Sequence, residues 1–157
     1  ETSVTCSKSS GDTASIQRLV PERNELHLMA QHGFPPESTA FWEWVKSGDP
    51  TSCGQTLASG EPVVIPDVEA SHALAGTEDL AHYRRSGIQA MLSMPLLARD
   101  GQLVGVMSTH WRRVHQPSPR ELRMLNVLAR QAADLIERGT GELALRDLRA
   151  DHVSCPA

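Results

Sequence analysis

Residues 88–138 read IQAMLSMPLLARDGQLVGVMSTHWRRVHQPSPRELRMLNVLARQAADLIER, and this stretch decides the fold. Two apolar-rich runs, 88–98 and 103–110, flank Arg99-Asp100-Gly101, a turn tight enough to join only antiparallel neighbours. After Trp111-Arg112-Arg113 the chain reaches Ser118-Pro119-Arg120-Glu121. There the Ser118 hydroxyl can accept from the Glu121 N–H while the Glu121 carboxylate reaches back to the Ser118 N–H, and Pro119 stands where a missing N–H costs nothing. The stretch predicts a hairpin feeding a capped helix over residues 119–138.

That helix carries more apolar surface than one packing face needs. Leu122, Leu125, Ala129, Ala132 and Ile136 form one stripe, and Met124, Leu128 and Leu135 widen it to roughly 200°, against the ~100° of an ordinary amphipathic helix. Arg123, Asn126, Arg130, Asp134 and Glu137 take the remaining sector. Two neighbours are expected for such a helix: its own sheet and a second helix.

Working outward, residues 1–11 are rich in Ser and Thr and predict a disordered or frayed segment. Residues 14–20 and 25–31 read as strands joined by the turn chemistry of Pro21-Glu22-Arg23-Asn24. Gly33-Phe34-Pro35-Pro36 interrupts the pattern, and 37–46 predicts a short helix with Phe41, Trp42, Trp44 and Val45. A further short helix is expected over 52–59, closed by Gly60, followed by a short buried or edge strand bracketed by Pro62 and Pro66 and an acidic loop over 67–71. Thr77-Glu78-Asp79 starts a helix that Gly87 ends. After 138, Gly139-Thr140-Gly141 predicts a break, with helical sequence resuming at 142–149. Strands in runs, separated by one irregular helical insertion, argue for an α+β domain on an antiparallel sheet.

The composition is that of one globular domain: 157 residues, 39% apolar and 22% charged. A net charge of −4 provides no basic field for nucleic acid or an anionic membrane. No apolar run is long enough to span a bilayer and no signal segment opens the chain, so a cytoplasmic location is expected. Three cysteines, Cys6, Cys53 and Cys155, odd in number and two of them in polar terminal segments, argue against a disulfide framework, and the seven histidines show no metal-ligand spacing.

The order of elements, together with Ser52-Cys53-Gly54-Gln55-Thr56-Leu57, Gly60-Glu61-Pro62-Val63-Val64-Ile65-Pro66-Asp67-Val68, Gly87-Ile88-Gln89-Ala90 and Gly101-Gln102-Leu103-Val104-Gly105-Val106-Met107-Ser108, resembles a GAF domain, in particular the GAF modules of bacterial PAS/GAF sensor histidine kinases. The resemblance covers residues 12–138. It implies a central antiparallel sheet of five to six strands with helices packed on one face and a ligand pocket on the other. It further implies a non-catalytic sensor that binds a small molecule, forms a homodimer through its C-terminal helix (Leu122, Leu125, Leu128, Ala132, Leu135, Ile136), and relays to an output domain through residues 139–157. Neither the phospho-acceptor histidine motif nor the ATP-binding glycine motifs of a kinase occur in these residues.

Candidate pocket residues are Phe34, Trp42, Cys53, Asp67, Tyr83 and Ser108. Phe34, Phe41 and Trp42 can stack on a planar ligand or cap the core. Cys53 opens a short helix, where the dipole favours thiolate, so it reads either as a redox or attachment residue or as a small buried hydrophobe. GAF-fold methionine sulfoxide reductases resemble this chain around its Cys-Gly pair, yet they need a further cysteine, and only Cys6 and Cys155 are on offer. Asp67 can bond a ligand or cap the following turn. His72, His82 and Tyr83 lie where the pocket would be roofed, and Trp111-Arg112-Arg113 is suited to cover the helix or meet a partner.

Overall fold

A computed structural model describes the backbone of residues 11–153 and the side chains of 11–139. The expectation for residues 1–11 therefore lies, but for Gly11, outside the described residues. Eleven elements follow one another: β1 (Thr13–Val20), β2 (Glu25–His32), α1 (Pro36–Phe41), β3 (Trp44–Lys46), α2 (Ser52–Ser59), β4 (Val63–Ile65), a 3-10 turn (Val68–Ala70), α3 (Glu78–Ser86), β5 (Ala90–Leu97), β6 (Leu103–Trp111) and α4 (Pro119–Val153). The six strands form one antiparallel sheet in the order β3-β2-β1-β6-β5-β4.

Local chemistry places most of these boundaries. Asn24 takes the left-handed conformation (φ 51°) that closes the β1–β2 turn, and Gly60 and Gly87 end α2 and α3 at φ 72° and 70°. Thr51 and Thr77 cap the starts of those helices through their hydroxyls. The capping box of α4 forms as read: Glu121 N–H donates to Ser118 Oγ at 3.2 Å and Ser118 N–H to Glu121 Oε2 at 2.7 Å. Gly105 lets β6 approach β1, because a Cβ there would collide with the Gln17 carbonyl.

Two expectations are corrected. Residues 44–46 are not helical; Trp44, Val45 and Lys46 pair with His27, Leu26 and Glu25 as an edge strand, since Val45 completes the core only from the sheet. Nor does Gly139-Thr140-Gly141 break α4, whose backbone runs on to Val153. Two glycines cost only about 1 kcal/mol each relative to alanine, and the helix formers on either side outweigh them.

Both sheet faces are covered. On the outer face Leu92, Met94, Leu96 and Trp111 pack against Leu125, Ala129 and Ala133 of α4. On the inner face Leu26, Val45, Met91 and Val106 meet Trp42, Val68, Leu74, Leu80, Tyr83 and Ile88, contributed by α1, α3 and the loops between them.

Candidate functional site

The strands at the centre of the sheet place an unusual row on the inner face. Thr13, Ser15 and Gln17 of β1 stand opposite His110, Ser108 and Val106 of β6, and Ser93 of β5 lies across from Ser108. All six polar side chains are buried. Part of the row is satisfied: Ser52, Ser93 and Ser108 form a chain of hydroxyl bonds at 2.8 and 2.7 Å, and Thr56 Oγ1 donates to the Ser93 carbonyl. The two ends of the row are not, Thr13 and His110 standing at one and Gln17 at the other. Thr13 Oγ1, Gln17 Oε1 and His110 Nδ1 are buried and have no hydrogen-bond partner. A buried polar atom left unpaired costs about 1–3 kcal/mol, so three on one face call for a partner. Burial holds the His110 ring well below its usual range, at about 4, against an opposing hydrogen bond to the Thr13 main chain. The imidazole is neutral at physiological pH.

Over this row lies α1 with the segment before it. Phe34 touches His110 edge-on, with ring centroids 5.2 Å apart, and tilts against Trp42 at 5.5 Å. Gly33, at φ 90°, sits so close to Thr13 that a Cβ would press on the threonine methyl. A groove of about 600 Å³ opens between α1 and β2, lined by Leu28, Met29, Gln31, Phe34, Thr39 and Ala40 among others. Its floor residue Leu28 is the cross-strand neighbour of Gln17, and the register slips between Ile16 and Gln17, leaving Met29 as the extra residue of a bulge. The size is that of an ordinary small-molecule site.

Deeper in, α1 and α3 are locked together. Trp42 stacks on Tyr83 at 4.6 Å and Phe41 on His82 at 4.0 Å, while Ser38 bridges His82 Nδ1 and Ser86 at 3.1 Å each. Trp42 Nε1 donates to Asp79 Oδ1 at 2.9 Å. Desolvation pushes the Asp79 carboxyl up despite that bond. These side chains fill the middle of the inner face.

Of the six pocket candidates, Phe34, Trp42, Tyr83 and Ser108 do gather on the inner face. Cys53 packs at its margin, with Sγ 3.2 Å from Thr51 Oγ1. Desolvation raises the thiol to about 11, outweighing the bonds from Thr51 and Gly54, so the thiolate-favouring environment expected of a helix start is absent there. Asp67 stands apart, accepting from the Glu69 N–H as the cap of the 3-10 turn. His72 is exposed. Thr13, Ser15, Gln17 and His110 are the residues that sequence reading missed as a group, for their alternation with Ala14 and Ile16 looks like a solvent-facing edge. No group of three metal-binding side chains occurs among the described residues.

Along α4, Leu125 is buried on the sheet and Leu122, Ala132 and Ile136 pack partly against it, whereas Leu128 (44%) and Leu135 (67%) remain exposed beside Met124 and Val127. A second cavity of about 660 Å³ lies on the opposite flank of α4, against the β5–β6 turn, and includes Arg99, Asn126, Arg130 and Asp134. None of the six pocket candidates lines it. No described helix is long and apolar enough to cross a membrane.

The fold has many solved counterparts. A domain of a protein described as a two-component sensor histidine kinase from Sinorhizobium meliloti 1021 superposes with a TM-score of 0.65 at 24% identity, covering 87% of this chain and 86% of that one. The GAF domain of a phosphoenolpyruvate-protein phosphotransferase from Coxiella burnetii gives 0.71 at 20% identity, over 85% and 76% of the two chains. Free methionine-R-sulfoxide reductase from Neisseria meningitidis, solved with its substrate, gives 0.64 at 20% identity, over 83% and 71%. No curated protein matches the chain at a comparable level of significance. The sequence model of the GAF domain matches residues 9–136, the span of the sheet and its helices, and on that match the chain belongs to the GAF domain family.

Proposed function

We propose that this chain is a non-catalytic sensory GAF module of a bacterial signal-transduction protein, probed by a small molecule at the inner face and read out through α4. The observation that carries the reading is the buried polar row with its three unpartnered atoms, the His110 end of which touches Phe34, a ring that also lines a groove of ligand size. A ligand there bridges β1, β6 and α1. The sheet transmits the change because β6 leads directly into the α4 cap and the outer face of β5 and β6 seats α4. Only a ligand that binds two seats of α4 with different affinity can signal in this way. The exposed stripe of Met124, Leu128 and Leu135 is the surface for a homodimer, with a histidine kinase as the natural output domain and the cytoplasm as the location.

Two features of the site support the non-catalytic reading: burial raises the Cys53 thiol, and burial keeps the His110 ring from taking a proton. A second reading has support of its own: Trp42, Tyr83 and Met91 fill the middle of the inner face, as in a relay module that needs no ligand. Native mass spectrometry of freshly purified protein, followed by a thermal-shift screen of metabolites, separates the two. The sensor reading expects either a retained mass or a stabilising compound whose effect is lost in Gln17→Leu. Neither outcome in wild type leaves the relay.

A further inference from the structure

We infer that the inner-face site is built for an uncharged molecule that pairs an apolar body with a hydrogen-bond donor. The inference rests on the sensing role proposed above and narrows it to a ligand class.

Three observations converge on it. The unpartnered groups of the inner face can all accept, while the fourth unpartnered atom, the Trp111 Nε1 donor, belongs to the outer face: Gln17 Oε1 can only accept, Thr13 Oγ1 can accept, and in a neutral His110 whose other nitrogen is engaged by the Thr13 main chain, Nδ1 carries the lone pair. The groove beside them is largely apolar, with Leu28, Met29, Ala30, Phe34, Pro36 and Ala40; two of its polar members are already occupied, and its one carboxylate, Glu43, stands exposed at the rim. Gln31 Oε1 accepts from the Phe34 N–H, Thr39 Oγ1 donates to the Pro35 carbonyl, and Glu43 lies 3.6 Å from His27.

Charge is the third. No lysine or arginine lines the groove, and no cation belongs to the inner row. The buried row is neutral throughout, and Asp79, the carboxylate nearest the aromatic layer, is taken by Trp42. An anion entering this space loses its hydration and meets no counter-charge, and an ammonium group placed on the buried acceptors lies away from the only carboxylate of the groove, Glu43, whose exposed rim position makes a pairing there worth little. A neutral donor suffers neither penalty. Phe34, half-buried, lines the groove and touches the His110 ring, so it stands between the two.

The test uses four probes of similar size: benzyl alcohol, benzoate, benzylamine and anisole, titrated into ¹⁵N-labelled protein. Benzyl alcohol is expected to shift the amides of residues 13–17, 28–34 and 110 saturably, and to bind about tenfold tighter than the other three. His110→Phe, with a dispersed spectrum confirming the fold, should remove that preference. Benzoate or benzylamine binding as well as benzyl alcohol overturns the ligand class while leaving the sensing role intact. Equal binding of anisole overturns the donor requirement. If no probe moves these amides, water is the partner of the acceptors and the class is overturned. The sensing role is judged separately by native mass spectrometry.

Discussion

Trp42 and Asp79, 37 residues apart, are joined by a single 2.9 Å hydrogen bond that fastens α1 to the first turn of α3. Burial raises the Asp79 carboxyl above its ordinary value of 3.8, so the folded state binds its proton more readily than the unfolded chain does. Stability from this group is accordingly lost as pH rises through that window, and at neutral pH the charged form is a cost. Asp79→Asn keeps an acceptor for Trp42 Nε1 and removes the charge. It should raise the Tm at pH 7 and leave it little changed at pH 3. Trp42→Phe keeps the ring stack but leaves Asp79 unpartnered, and should lower stability by about 1–3 kcal/mol in urea titrations. A more stable Trp42→Phe protein would contradict this account.

His110 gives the opposite slope. Its ring takes a proton near 6.5 when unfolded but only at about 4 when folded, so the unfolded chain binds more protons between those values. Stability should climb as pH rises from about 4 to 6.5 and level off above. The span is on the order of 3 kcal/mol, and urea midpoints of His110→Gln should lack that part of the climb. An unchanged pH profile in the variant would place the titration elsewhere.

Cys53 should be slow to react. With the thiol raised to about 11, native protein treated with iodoacetamide at pH 8 is expected to leave Cys53 largely unmodified, while the same treatment in urea labels it fully. Peptide mapping reads the difference. Rapid native labelling would restore the redox reading of this residue.

On α4 the two sides of the apolar arc should respond differently. Leu128→Glu changes an exposed position, so it should leave the Tm nearly unchanged yet shift the sedimentation coefficient from dimer to monomer. Leu125→Ala cuts into the sheet contact and should cost about 2–4 kcal/mol. A monomeric wild type would remove the dimer from the proposed function.

Much of this molecule was legible from local chemistry. The hairpin around Gly101, the capping box at Ser118 and Glu121, and the glycine stops at Gly60 and Gly87 all depend on residues within a few positions of one another, and each forms as read. The two local misreadings have different origins. Residues 44–46 become a strand because β2 offers an edge and the core accepts Val45, and α4 passes Gly139 because its neighbours carry the helix through. Propensity is a weak prior that tertiary pairing overrides.

The candidate site was only half visible. Phe34, Trp42, Tyr83 and Ser108 were identifiable by type, whereas Thr13, Ser15 and Gln17 alternate with Ala14 and Ile16 in a pattern that conceals which face is inward. Period-2 alternation fixes that two faces differ and does not say which is buried. Here both are covered, α4 taking the apolar side and α2, with α1 and α3, the polar one.

The sequence by itself determined the order of the elements apart from the edge strand β3, the antiparallel sheet and the capped terminal helix, because turns, caps and periodicity act over a few residues. Only the tertiary structure decided that three polar atoms from β1 and β6 are buried on one sheet face without partners, with His110 among them beneath Phe34. Such a cluster exists solely through strand register and long-range packing, which no local pattern encodes.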